Sequence, residues 1–322
     1  MFFQPFQNEI LIKNLLRDLY GEDISLRPLS GGTENLNYVM NERVVVRILY
    51  LPQTSPLFYE AKSYLKREIQ FVNALYEEEL NDFAYLPFQD GEWIFSLNVN
   101  KGILYVMQSV YLKGKTISFE KNIIPQIAQK IVHFHDFSKE SCIEYQRIPV
   151  YDDLVSSLHI RLFSYEKELE KDISNYKNYW ELFQINTSIL EKAKQAQPAL
   201  FIHNDLHADN ILFHKDKLTI LDFGDARYSL PEEDIGTFLW GLSLKTDVSS
   251  FPELANLFFS NYTRDINPEL CYRFALQRFL EVHLFYLVEN QKNSALMKYQ
   301  KVKFTKEKVM IDYLNHHISF KN

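Results

Sequence analysis

A chain of 322 residues, 46% hydrophobic and 24% charged, has a globular composition and is long enough for two lobes. Its formal charge of −7 excludes non-specific nucleic-acid binding, which needs a basic surface. No stretch is long and uncharged enough to cross a membrane, and MFFQPFQNEI at the amino terminus lacks the basic region and apolar run of a signal peptide.

Cys142 and Cys271 lie far apart without metal-ligand spacing, as free thiols of a reducing compartment do, so a cytoplasmic protein is expected. In residues 8–20, Ile10, Leu11, Leu15, Leu16 and Leu19 recur at helical spacing, and Gly21 ends the run. SLRPLSGGTENLNYVM then reads as strand, glycine turn and strand, and VVVRILY as a third strand after the turn NER. Ser30, Gly31, Gly32 and Thr33 form the glycine turn, where backbone N–H groups can approach a phosphate. Period-two alternation in the third strand sets Val44, Val46 and Ile48 on one face and Val45, Arg47 and Leu49 on the other. A lone arginine beneath a glycine turn suits a phosphate, to which a guanidinium offers paired donors.

Residues 59–80 read as a charged helix with Leu65, Ile69, Val72, Leu75 and Tyr76 as its inner stripe. Glu68, one turn before Val72, is placed to pair with Arg47. Strands follow at 93–99 and 103–110, joined by Asn100, Lys101 and Gly102. Gly114 then breaks the strand pattern near a lobe boundary, giving a nucleotide-binding lobe over 1–110 and a helical lobe over 111–322.

Beyond that point a helix over 123–137 carries Ile124, Ile127, Ile131 and Phe134, with His133 and His135 read as capping or packing groups. Residues 152–194 read as one or two amphipathic helices with a solvated Lys/Glu face. Further helices are expected at 235–244 (preceded by PEED), 251–262, 270–290 and 299–317. The fold class is therefore α+β and bilobal: a small antiparallel β-sheet with one main helix, then a larger, mostly helical lobe.

The stretch FIHNDLHADNILFHKDKLTILDFGDA, residues 201–226, is the centre of the chain. It reads as a strand, a polar loop with His203, Asp205 and Asn210, a hairpin, and a second loop opened by Asp222. Loops joined by a tight hairpin lie side by side, so an imidazole, an amide and two carboxylates converge. Such crowding costs stability unless a cation and an anionic ligand share the space. Phosphoryl transfer from ATP asks for this set: hard oxygen donors for Mg²⁺ from Asn210 and Asp222, and a carboxylate, Asp205, to accept the acceptor hydroxyl's hydrogen bond. His203, the other catalytic candidate, is better suited to bracing the loop through its ring nitrogens.

His203-Asn204-Asp205-Leu206-His207-Ala208-Asp209-Asn210 resembles the catalytic loop of eukaryotic-like kinases, and Asp222-Phe223-Gly224 resembles their metal-binding loop. Protein kinases carry Lys two residues after the catalytic Asp, where His207 stands, and a long activation segment for which there is no room here. Both departures resemble the aminoglycoside phosphotransferase/choline kinase superfamily, whose members phosphorylate small-molecule hydroxyls. The resemblance implies that Gly31, Gly32 and Thr33 form the phosphate loop and that Arg47 and Glu68 form its ion pair. By the same likeness the Val110 carbonyl and Leu112 N–H hold adenine, and Asp234 fixes the catalytic loop. It further implies an ATP- or GTP-dependent O-phosphotransferase with Mg²⁺ and a small-molecule acceptor, such as an aminoglycoside-type antibiotic or an amino-alcohol metabolite.

The acceptor is not legible. Asp225, Trp240 and Glu281 are candidate contacts, with Tyr286 beside them, although a chain with 25 Phe and 20 Tyr offers aromatic walls everywhere. A Ser/Thr protein kinase and a nucleotide-binding pseudokinase are the alternatives.

Overall fold

The computed structural model describes residues 9–21, 24–29, 35–140, 176–215, 217–292, 308–316 and 318. Gly31, Gly32, Thr33, Cys142 and the segment before residue 176 lie outside these, as does the side chain of Tyr286. The chain divides into two units, one reaching Gly114 and the other starting at Lys115.

In the first unit, α1 (Glu9–Tyr20) buries Ile12, Leu15 and Leu16 along one stripe. Gly21, at φ 89°, ends it by donating its N–H to the Arg17 carbonyl at 2.7 Å. Strands β1 (Leu26–Pro28), β2 (Asn35–Met40), β3 (Val44–Pro52), β4 (Tyr85–Leu86), β5 (Phe95–Val99) and β6 (Gly102–Val110) form an antiparallel sheet. Its order is β1-β2-β3-β6-β4, with β5 also pairing β6. Asn41 and Glu42, at φ 52° and 54°, turn β2 into β3 while Arg43 N–H donates to Met40 O at 3.1 Å. Two consecutive left-handed residues make a turn whose twist matches that of the strands it joins.

The predicted alternation in β3 holds. Val46 and Ile48 join Ile12, Leu15, Leu16, Met40, Leu104 and Val106 in one core cluster, with Val44 packed against it. Arg47 and Leu49 face the other way, toward α2 (Ala61–Glu77), which buries Leu65, Glu68, Ile69, Val72 and Leu75. Tyr76, expected on that inner stripe, is instead 50% exposed. One residue past Leu75 is roughly 100° further round the helix, which carries it beyond the covered arc. The strand expected from residue 93 starts at Phe95, leaving Trp93 exposed before it.

The second unit opens with β7 (Lys115–Thr116), a short strand the sequence did not announce. Helices α3 (Ile124–Glu140), α4 (Tyr176–Ala196), α5 (Pro231–Lys245), α6 (Phe251–Asn261) and α7 (Pro268–Lys292) follow, with a last helical segment at 308–316. Three small strand pairings carry the loops between them: β8 (Leu200–Ile202) with β11 (Arg227–Ser229), β9 (Ile211–His214) with β10 (Lys217–Ile220), and β7 with β9.

The helix expected at 235–244 begins at Pro231, so PEED is its first turn rather than its approach. Proline at the first position lacks only an N–H that has no intrahelical partner, and acidic side chains complement the amino-terminal end of the dipole. All three acids are buried and tie the helix start to different parts of the unit. Glu232 accepts from Asn267 N–H at 3.2 Å, and Glu233 accepts from Arg227 and from the Ser229 hydroxyl. Asp234 reaches the loop over 203–210, at His203 and Asn204.

Candidate active site

The two loops of the central stretch start and end on the same strand pairs. Ile202 pairs with Arg227 at the end of β8, and Ile211 pairs with Ile220 at the start of β9. The register leaves residues 203–210 and 221–226 no choice but to run beside each other. Leu221 fastens them: its N–H donates to Asn210 O at 2.8 Å, and its carbonyl accepts from His203 Nε2 at 2.8 Å.

His203 is fully buried, with its ring at 4.6 Å from that of Phe223. Asp205 N–H donates to His203 Nδ1 at 3.1 Å, so Nδ1 holds the lone pair and Nε2 the proton. Both ring nitrogens are thus committed within the two loops. The next residue, Asn204, has φ 63° in the left-handed region. Asp234, fully buried, receives the N–H of His203 on Oδ2 at 3.0 Å and that of Asn204 on Oδ1 at 2.5 Å. His135 Nε2 lies 2.9 Å from Asp234 Oδ2, and the Tyr262 hydroxyl lies 2.7 Å from His135 Nδ1. His135 therefore packs and braces from α3, while His133 is exposed.

Asp205 is held on both oxygens. Oδ1 accepts from Arg278 Nη2 at 3.1 Å; Oδ2 accepts from Asn210 Nδ2 at 2.9 Å and lies 3.3 Å from His207 Nε2. Burial opposes ionisation, but the hydrogen bond and charge of His207 and the charge of Arg278 outweigh it and hold Asp205 well below the usual carboxylate range. Burial likewise disfavours a charged His207, yet its hydrogen bond to Asp205 and the charges of Asp205 and Asp209 raise its pKa. Asp225 is half-buried, and burial together with the charge of Asp205 pushes its carboxyl upward.

Asn210 gives its amide protons to Asp205 Oδ2 and to Asp205 O, both at 2.9 Å, so the amide oxygen is the end of the side chain that could take a cation. Asp222 is exposed and left-handed at φ 58°, ψ 70°. Among the described residues no three His, Cys, Asp or Glu side chains group as a metal site. An amide oxygen plus one carboxylate nonetheless fits Mg²⁺, which takes few protein ligands and completes its shell with water and phosphate oxygens.

Of the expected acceptor residues, Trp240 stands 6.4 Å from the His207 ring, with the Arg278 guanidinium 5.4 Å from its centroid. Glu281 is fully buried and accepts from Gln277 Nε2 at 3.2 Å. Arg278 and His135 are site residues that sequence reasoning did not place. Their partners lie 73 and 99 positions away, and no local pattern announces such pairs.

In the first unit, Arg47 Nη1 donates to Glu68 Oε1 at 2.8 Å and to the Tyr85 hydroxyl at 3.1 Å; Tyr85 also donates to Glu68. Val110 N–H donates to Ala84 O at 3.0 Å, and Leu112 is half-buried.

The model of the phosphotransferase enzyme family (APH) matches residues 25–265, three quarters of the chain and both units. The chain belongs to that family. As a family phosphotransferase it has the kinase-like fold of several solved enzymes. These include a microcompartment-associated aminopropanol kinase (TM-score 0.68, 15% identity, 96% of this chain and 98% of that one). Another is the amicoumacin kinase hAmiN in complex with AMP-PNP, Ca²⁺ and Ami (0.67, 13%, 96% and 94%). The choline kinase LicA from Streptococcus pneumoniae is a third (0.58, 15%, 96% and 99%). No curated protein sequence matches this phosphotransferase. No helix among its described residues is long and apolar enough to cross a membrane.

Proposed function

We propose that this phosphotransferase moves the γ-phosphate of ATP, or of GTP, to a hydroxyl of a small molecule. The observation that carries the reading is the Asp205–Asn210 contact inside a loop held rigid by His203 and Asp234. Asp205 receives the acceptor hydroxyl's hydrogen bond. A carboxylate offers about four lone-pair positions, and three are engaged here, so one is left for that hydroxyl. Its weak basicity suits an orienting group, because a loose phosphoryl-transfer transition state needs alignment more than early proton removal.

Asn210 and Asp222 hold the divalent ion, which when bound neutralises charge on the transferred phosphate. For the nucleotide we assign Gly31, Gly32, Thr33, Arg47, Glu68, Val110 and Leu112 by resemblance, and the AMP-PNP bound to the amicoumacin kinase supports a triphosphate. A small acceptor is favoured because α5 begins directly after β11, where protein kinases carry a long activation segment. The small-molecule acceptors named for the kinases of like fold agree with that choice.

The test is coupled ADP release, with and without Mg²⁺, over a panel of aminoglycosides, spectinomycin, choline, homoserine and sugars. Acceptor-dependent and Mg²⁺-dependent release supports the reading; silence across the panel together with transfer to a protein substrate overturns it.

A further inference from the structure

The features that receive a cationic small molecule are an aromatic face and a carboxylate. This protein has both at Asp205, and its own chain fills them. Arg278, on α7, places its guanidinium 5.4 Å from the Trp240 ring centroid and donates through Nη2 to Asp205 Oδ1 at 3.1 Å. Burial disfavours the Arg278 cation, as does the charge of Arg227, but the charges of Asp205, Asp225 and Glu281 outweigh them. Arg227 is itself paired with Glu233. The Arg278 side chain is only 12% exposed. α5 packs closely on the loop that bears Asp205: Gly241, one residue after Trp240, would bring an added methyl group to 2.7 Å from His207 Cβ.

We propose that Arg278 is a specificity-determining residue, an internal cation occupying the place an ammonium-bearing acceptor would need, so that the enzyme selects a hydroxyl on a molecule with no positive charge beside it. The proposal rests on the small-molecule phosphotransfer reading for its consequence and on the contacts of Arg278 with Trp240 and Asp205 for the occupied site. A guanidinium already lying against Trp240 and Asp205 excludes a second cation by both volume and repulsion. Uncharged polyols, sugars and hydroxy acids remain admissible, since each can bring a neutral hydroxyl to the remaining lone-pair position of Asp205. Shortening Arg278 removes the cation that lies between Trp240 and Asp205 Oδ1 and leaves that aromatic face and carboxylate oxygen open to another, while His207 stays on Oδ2.

The experiment reads binding first and turnover second. Wild type, Arg278→Ala and Arg278→Lys are titrated with N-methylguanidinium, choline and kanamycin while the Trp240 indole N–H resonance is followed, its assignment fixed by Trp240→Phe. The expected result is a saturable shift with Arg278→Ala, at least tenfold tighter than any response of wild type, and little response with Arg278→Lys, which restores a charge. Choline or kanamycin binding at Trp240 in wild type as tightly as in Arg278→Ala overturns the proposal, as does turnover of either by wild type. Arg278→Gln, with the same length and no charge, serves if Arg278→Ala does not fold, and is expected to gain the same binding. The same proteins are assayed for ADP release with the acceptor panel. Absence of all turnover sinks the phosphotransfer reading, while the binding arms still decide the role of Arg278.

Discussion

Asn204, at φ 63°, donates its N–H to Oδ1 of Asp234, a residue 30 positions later in the first turn of α5. Oδ2 of the same carboxylate takes the N–H of His203. One side chain thereby replaces the sheet pairing that the chain abandons when it leaves β8, and it fixes the backbone from which Asp205 projects.

Asp234→Ala would leave two backbone N–H groups and His135 without their acceptor in a dry environment. Each orphaned donor costs about 1–3 kcal/mol, so a loss on the order of 3–5 kcal/mol is expected in urea unfolding. Asp234→Asn, which keeps one oxygen, is expected to lose less. A wild-type midpoint for Asp234→Ala would contradict this bracing role.

Two glycines of α5 separate stability from function. A methyl group at Gly236 would sit 2.4 Å from Phe274 Cβ and 2.9 Å from Ala275 N, both in α7. At Gly241 the obstacle is His207, 2.7 Å away at Cβ and 3.0 Å at Cα. Alanine is favoured over glycine in a helix by about 1 kcal/mol, whereas overpacking costs about 1–3 kcal/mol. Gly236→Ala is therefore expected to lower stability the more, because its methyl group meets three atoms of α7 (Phe274 Cβ, Ala275 N and Cys271 O) within 2.9 Å, whereas at Gly241 only His207 Cβ lies so near. Gly241→Ala is expected to keep most of its stability and to lose tenfold or more in turnover, because the loop bearing Asp205 shifts. Equal losses of turnover in both variants would contradict the assignment.

The Arg47–Glu68 pair is nearly dry, with side chains 12% and 2% exposed. Arg47→Met alone leaves a buried carboxylate without this counter-cation and is expected to cost about 3–5 kcal/mol. Adding Glu68→Gln should recover part of that, giving a coupling of at least about 1 kcal/mol in a double-mutant cycle. Strict additivity would show that the pair contributes nothing jointly.

The local features of this fold were open to reading in the sequence. The alternation of Val44, Val46 and Ile48 announced a strand with one face in the core, and the hairpin after Asn210 announced two adjacent loops, because each signal lies within a few residues. What stayed hidden depends on distance along the chain. Arg278 is one arginine among several on an aromatic-rich helix until α7 brings it to Asp205. His135 looks like a helix-end residue until α5 delivers Asp234 to it. PEED resembled a polar approach because acidic residues rarely suggest burial, yet here each has its own partner. Tyr76 failed for the opposite reason: periodicity marks a direction around the helix, not how far the neighbouring sheet extends.

The central claim is that Asp205 orients the acceptor hydroxyl for transfer from a bound nucleotide. The most direct measurement compares wild type and Asp205→Ala in Mg²⁺-dependent, acceptor-stimulated ADP release, with nucleotide affinity titrated in parallel. A fall of roughly 10²–10⁴-fold in kcat with nucleotide affinity within about twofold of wild type is the predicted result. Full turnover in Asp205→Ala would contradict the account.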